Sequence, residues 1–209
     1  LRRQRQMCIR DSIHAIPYKV VYKGENITDD KYSIIETNVL YGSLNEEVVA
    51  PIKTYEGLEV ISSDVKGQIV LDGSLVLEVL YRRKTYEVTY IIHGEEYEKV
   101  TDLKYNTKYK LIDNVMLKGY IFRGWYVDDQ FKKVASLNQI PSHDTIVYGK
   151  LEPITIGSSG LSYVLNPSKT GYIISGYTGT ETEIIIPNGY NCLPVVAIDC
   201  YFDLSLIHI

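Results

Sequence analysis

"GYIFRGWYVDD", Gly119 to Asp129, holds the only Trp of this 209-residue chain. Tyr120, Phe122, Trp125 and Tyr126 fall within seven residues, and Gly119 and Gly124 interrupt them. Such a run is either a ring platform for a ligand or the core of a small β-module. Strand alternation carries Tyr120 and Phe122 to one face, and Trp125 joins them if the backbone bulges at Gly124. A module of about 65 residues buries only about 60% of the surface its unfolded chain exposes. Burying one aromatic side chain contributes on the order of 2–3 kcal/mol, so a module this small needs its largest rings inside. Tyr120, Phe122, Trp125 and Tyr126, together with Gly119 and Gly124, are therefore read as core markers. Arg123 is read as an internal cation–π partner.

Working outward, the same preference runs through the composition. The chain has 19 Tyr against 3 Phe and 1 Trp, within 45% hydrophobic and 23% charged residues. Tyr and β-branched residues fit pleated, half-buried surfaces, which predicts mainly β-structure. No stretch approaches the ~20 apolar residues of a membrane-spanning helix, so no membrane insertion is expected. "RRQRQMCIRDS" (Arg2 to Ser12) fits neither helix period nor strand alternation, and "LSLIHI" (Leu204 to Ile209) breaks off within a motif. Both resemble translated sequencing-adapter read-through, and residues 1–14 and 204–209 are expected to be non-native ends. Arg2, Arg3, Arg5, Arg10 and Asp11 lie in the first string. Taking them from the 22 basic and 26 acidic residues leaves 18 and 25. An acidic body argues against a nucleic-acid partner.

Ahead of the aromatic run, "YKVVYK" (Tyr18 to Lys23), "YSIIETNVLYGS" (Tyr32 to Ser43), "EGLEVIS" and "GSLVLEVLYRR" read as strands, with a turn at Asp72–Gly73. Ser43 with Glu46 three residues on is a capping-box pattern, which predicts a helix of about two turns ending at Pro51. From Thr85 the order recurs: "YEVTYIIHG", then "KGYIFRGWYVD", then "DTIVYGKL". Unequal intervals make this similar architecture rather than a strict repeat. "GSSG" (Gly157 to Gly160) reads as a flexible linker. "LSYVLNPSKTGYIISGYTG" after it reads as a hairpin around an Asn-Pro-Ser turn. The apolar runs Ile184–Ile186 and Val195–Ile198 follow.

Residue types that carry chemistry do not converge. His93 and His143 sit at turn-like positions, and His14 and His208 lie in or beside the suspect ends. A catalytic or metal-bound His needs an orienting partner, and no spacing supplies one. G-x-S-x-G, G-x-G-x-x-G and Walker patterns are absent. The pairs Asp29–Asp30, Glu46–Glu47, Glu95–Glu96 and Asp128–Asp129 place their members on opposite strand faces, and no calcium loop is spelled. "NIT" (Asn26 to Thr28) has the form of a glycosylation sequon, which carries no meaning in a bacterial chain. Cys8, Cys192 and Cys200 show no C-x-x-C spacing. No catalytic, cofactor or metal residue is expected, and no cofactor. The fragment is expected to have no enzyme activity.

Three segments resemble known families. "GSLNEEVVAPIKTYEGLEVISSDVKGQIVLDGSLVLEVLYRR" resembles the mucin-binding-protein type repeat of Gram-positive surface proteins. "YEVTYIIHG", "GYIFRGWYVDDQFKK" and "DTIVYGKL" resemble the Listeria–Bacteroides, or internalin B-type, repeat. That family usually has a Gly-rich turn after its first strand, whereas "HGEEYEK" has one Gly. "TGYIISGYTGTETEIIIPNGYNCLPVVAIDCYF" resembles the start of a BspA-type leucine-rich repeat region. The resemblance implies a mainly β (α+β) chain: β-grasp-like modules at 15–84 and 85–153, a linker at 154–160, and the cap of a leucine-rich solenoid at 161–203. For Cys192 and Cys200 two readings stand, a disulfide in an exported protein or buried thiols within that cap. The resemblance also implies a monomeric, extracellular bacterial cell-surface protein, its signal and anchor missing from the fragment. Its expected function is a stalk or adhesion module for a surface protein or glycan. The alternative is an accessory region of a large secreted glycosidase or peptidase whose catalytic domain lies elsewhere.

Overall fold

The computed structural model describes residues 15–29 and 31–200. The suspected non-native ends, Cys8, His14, His208 and Asp30 of the Asp29–Asp30 pair lie outside the described residues. Every regular element among the described residues is a strand. The mainly β expectation stands, and its α component does not.

In the first segment β1 (Ile16–Glu25), β2 (Tyr32–Gly42), β4 (Leu58–Val60) and β6 (Val76–Arg83) form a sheet in the order β2-β1-β6-β4. β1 runs antiparallel to β2 and parallel to β6, and β6 is antiparallel to β4. Alternation in β1 turns Ile16, Tyr18, Val20 and Tyr22 inward. There they meet Ala50, Ile69, Leu77, Val79 and Tyr81 in one buried cluster.

The helix expected between Ser43 and Pro51 is absent. That stretch holds β3 (Glu47–Val49), paired antiparallel with β5 (Lys66–Gln68). Half of the capping-box signature is nonetheless realised. The Glu46 carboxylate accepts from the Ser43 N–H at 2.7 Å, and Glu46 N–H donates to Ser43 C=O at 3.1 Å. Asn45 has φ of 63° in between. A left-handed residue stops a helix from propagating, so the side-chain contact closes a turn instead. Asp72–Gly73 is a turn as expected: Gly73 has φ of 68°, and Ser74 N–H donates to the Asp72 carboxylate.

The middle sheet, in the order β8-β7-β10-β9, is built from β7 (Thr85–Ile92), β8 (Glu95–Lys104), β9 (Tyr120–Tyr126) and β10 (Thr145–Pro153). Its first connection contains two residues, His93 and Gly94, with φ of 53° and 82°. Two successive positive φ values make the tight hairpin whose twist suits the flanking strands. One glycine is therefore enough where the family resemblance leads one to expect several.

The last sheet, in the order β11-β12-β14-β13, contains β11 (Leu161–Leu165), β12 (Tyr172–Tyr177), β13 (Gly189–Tyr190) and β14 (Leu193–Ile198). β11 and β12 are the expected hairpin, and the Asn166 carboxamide oxygen accepts from Thr170 N–H to hold its turn. The stretch read as a flexible linker is bound. Ser158 N–H donates to Ile185 C=O, and Ile185 N–H donates back to the Ser158 hydroxyl.

The compact units of the chain do not follow the sheet borders. One holds the described residues through Glu87 with Val100–Tyr109 and Asn138–Thr145. The other holds Val88–Lys99, Lys110–Leu137 and the described residues from Ile146 onward.

Candidate functional site

The aromatic run forms β9, and its register against β10 slips between Gly149 and Leu151, opposite Arg123–Gly124. Gly124 has φ of 115°, so the bulge falls where the sequence reading put it. The inward residues differ from that reading. Ile121 and Trp125 are buried, whereas Tyr120, Phe122 and Tyr126 are half-buried; Gly119 is exposed and Gly124 partly so.

Trp125 is the centre of a ring cluster. Tyr90 meets it edge-on at 4.7 Å, Phe122 at 5.1 Å, and Tyr97 tilts against it at 6.3 Å. Its indole N–H donates to Ile112 C=O at 2.5 Å. A side chain at Gly149 would lie 2.9 Å from the indole and 2.8 Å from Ile92, so the indole fills the space a Cβ would need. Trp125 therefore packs a core and offers no open face to a ligand. Arg123 pairs with Glu152 at 2.6 Å rather than with a ring.

Beyond Tyr126 the strand turns back on itself. Asp128 accepts from the N–H groups of Gln130, Lys132 and Lys133. Those bonds, the Lys132 N–H foremost, hold its carboxyl below the ordinary carboxylate range. A carboxylate engaged with several backbone donors shapes a loop and is poorly suited to accept a substrate proton. Phe131 takes φ of 55° and returns its ring to Tyr126, edge-on at 5.5 Å. Lys150 Nζ lies 5.8 Å from the Tyr126 centroid and 6.0 Å from that of Phe131.

Next to this loop is a groove of about 420 Å³, lined chiefly by Ile91, His93, Asp129, Phe131, Ile146 and Tyr148. Its walls are mostly apolar with a polar rim, the usual make-up of a recognition site. His93 enters it because the hairpin turn holds its ring edge-on to Tyr120, 5.1 Å away. His93 is an exposed turn residue as the sequence suggests, and Asp129 is exposed as well. Neither could be joined to Phe131 and Tyr148 without the sheet. His143 is an exposed residue away from the groove.

The first segment holds an inward-facing tyrosine knot. Tyr22, Tyr55 and Tyr81 meet with centroids 5.0–6.5 Å apart. Their hydroxyls donate to Pro51 C=O, Glu36 and Lys53 C=O respectively. Lys53 Nζ lies 4.9 Å from the Tyr22 centroid and pairs with Glu36 at 2.6 Å. Burial pushes the Tyr22 and Tyr55 phenols up, and the Glu36 hydrogen bond raises Tyr55 further. Asn26 of the sequon is engaged: its amide nitrogen donates to Asp29 and its oxygen accepts from Ser33.

A polar hollow of about 250 Å³ brings Glu87, Asp102 and Asp144 near Thr85 and Thr101. Asp144 already accepts from Glu87 N–H. No group of three His, Cys, Asp or Glu suited to a metal ion occurs among the described residues. Cys192 and Cys200 are free thiols, half-buried, and Cys192 donates to Leu117 C=O. Among the described residues no helix is long and apolar enough to cross a membrane.

Fold and site together define, among the described residues, a set of small β-sheets with tyrosines packed inside and an open apolar groove. Residues 86–150 match the family model of the Listeria-Bacteroides repeat domain, a repeat typical of bacterial surface or secreted proteins. That range covers most of the middle sheet and all of the groove's lining except Leu151. No curated protein matches the chain.

Proposed function

We propose that this chain is a non-catalytic stretch of a bacterial surface protein, serving as stalk and adhesion modules. The observation that carries the reading is tandem construction. The matched repeat places its first and last strands side by side in the middle of its sheet, and the first segment repeats that order. Repeated small β-units suit an array. The order β2-β1-β6-β4 also supports the β-grasp reading, with the β3–β5 pair and its extended loops standing where a helix would lie.

The last sheet supports the reading of a solenoid start. It buries few large side chains, chiefly Ile174 and Ile184, and leaves Val164, Ile185, Val196 and Ile198 exposed. A unit that cannot bury its apolar face alone is the behaviour expected of a stacking repeat.

In this reading the groove beside Phe131 is the adhesive point. Tyr148 and Phe131 supply ring area, and Asp129 and His93 supply polar contacts for a sugar or an extended peptide. Tyr-rich surfaces give area at low entropic cost. The test is binding of the full chain to a glycan array and to a panel of extracellular host proteins, beside the double variant Phe131→Ala, Tyr148→Ala. Specific binding lost in the variant supports adhesion at the groove. Equal binding by both proteins overturns the placement. Turnover of any captured glycan or peptide overturns the non-catalytic reading.

A further inference from the structure

The first sheet sets its first and last strands together and parallel. Lys19 to Gly24 of β1 face Val76 to Tyr81 of β6, residue by residue. In a parallel pair, the start of one strand and the end of the other lie at opposite ends of the overlap. Tension along the chain therefore draws β1 and β6 past each other lengthwise. The hydrogen bonds between them share the load and must yield together. The end where β6 leaves is pinned as well: the Glu25 carboxylate accepts from Arg83 N–H at 2.8 Å and pairs with Lys104 at 2.5 Å. β1 is also held to β2 along its whole length, from Ile16↔Gly42 to Glu25↔Tyr32.

The middle sheet has the same arrangement. Asp144, at the head of β10, accepts from Glu87 N–H near the head of β7. Five residues further along both strands, Gly149 packs on Ile92. β7 and β10 therefore run parallel. Only Lys84 separates β6 from β7, so tension leaving one parallel pair passes straight into the next.

The last sheet is wired the opposite way. β11 is antiparallel to β12, and β12 is parallel to β14. Leu161, where the chain comes in, and Ile198, where it leaves, thus lie at the same end of the sheet. Tension there opens the ladder a bond at a time.

We infer that the β1–β6 pair is a mechanical clamp, which gives this chain a force-bearing function and makes the last sheet its yielding element. Its biological purpose rests on the stalk reading; its physics does not.

The test is single-molecule pulling of the full chain, with Cys8, Cys192 and Cys200 replaced by Ser, in two geometries. In one, handles sit at the chain ends. In the other they sit at Pro17→Cys and Ser74→Cys, at the same end of the β1–β6 pair, so that pulling peels it. End to end, release of Ile16–Arg83 frees roughly 220–245 Å of chain and release of Leu161–Ile198 roughly 125–135 Å; between the internal handles only residues 17–74 lengthen, by roughly 190–205 Å, so each event is identified by its length. Forced unfolding reports the unfolding barrier, and we expect the Ile16–Arg83 event at about threefold or more higher force end to end than when peeled. The event compared is separation of β1 from β6 in both geometries, and the Leu161–Ile198 event should come first in the end-to-end traces. Equal forces in the two geometries, or the first sheet yielding before the last, would overturn the clamp. Finding the protein inside the cell would remove the stalk reading and leave these forces unchanged, so the two ideas fail separately.

Discussion

The first and last sheets are both four-stranded and both contain three interacting tyrosines, yet they solve the folding problem differently. In the first, Tyr22, Tyr55 and Tyr81 lie within the core, and each hydroxyl has an acceptor. In the last, Tyr163 stacks on Tyr190 at 4.0 Å with Tyr172 edge-on to both, but the cluster is only partly covered. The difference follows from chain length and connection. About fifty residues between β1 and β6 return over one face of the first sheet and supply Ala50, Tyr55 and Ile69 as a lid. Among the described residues the last sheet has Thr178–Asn188 for that purpose, and chiefly Ile184 and Pro187 reach inside. A ring is worth most where the connection is long enough to cover it.

The sharpest way to break this comparison is truncation in both places. Tyr81→Ala should cost about 3–5 kcal/mol, as for other buried aromatics, whereas Tyr190→Ala should cost about 0.5–1.5 kcal/mol, the worth of an exposed ring pair. Denaturant unfolding read by hydrogen exchange in each sheet separates the two. Equal losses would mean that the last sheet is as well packed as the first.

The middle sheet supplies an intermediate case. Trp125→Phe keeps a ring but removes the indole N–H, leaving Ile112 C=O without that donor. The expected loss is about 1–3 kcal/mol, measured by thermal unfolding followed through tyrosine fluorescence. A neutral result would show that the Ile112 carbonyl finds another partner.

Alkaline pH distinguishes the sheets without mutation. Tyr22 and Tyr55 have raised folded values, burial being the largest cause, and in the last sheet Tyr163 is raised by burial as well. A raised folded value stabilises fully below the unfolded tyrosine value of about 10. That stability is lost as pH climbs from there towards the folded value. Hydrogen exchange at pH 9 and 11 should show the first sheet losing more protection than the last. Acid acts in the other direction on Glu25 and Glu36, whose values are lowered, first by Lys104 and first by Lys53 respectively. Their contribution is present above about pH 4.3 and fades as pH falls through the folded values.

The smallest effect should come from the turn that replaced a predicted helix. Glu46→Ala removes the bond to Ser43 N–H and should cost about 0.5–1.5 kcal/mol. Gain of helical circular dichroism in Glu46→Ala would argue that this carboxylate, and not Asn45, keeps the helix from forming.

Much of the fold was legible in the chain. Alternation marked β1, β6 and β7, turn residues marked Asp72–Gly73 and Asn166, and the aromatic run marked β9 with its bulge. The Ser43–Glu46 pattern misled because capping chemistry is local and serves a turn as readily as a helix. Which aromatic faces inward was also missed, since a bulge shifts the alternation by an amount the sequence does not state. The groove was least legible: His93, Asp129, Phe131 and Tyr148 come from β10, a hairpin turn and the loop after β9.

By itself the sequence determined that this protein would be built of short strands with tyrosines as filling, because periodicity and ring content act over a few neighbouring residues. Only the tertiary structure decided that β1 and β6 lie parallel, that the last sheet stays half-covered, and that a groove opens beside Phe131. Those features depend on which distant strands pair, and pairing is settled by the burial of whole faces at once rather than by any local run of residues.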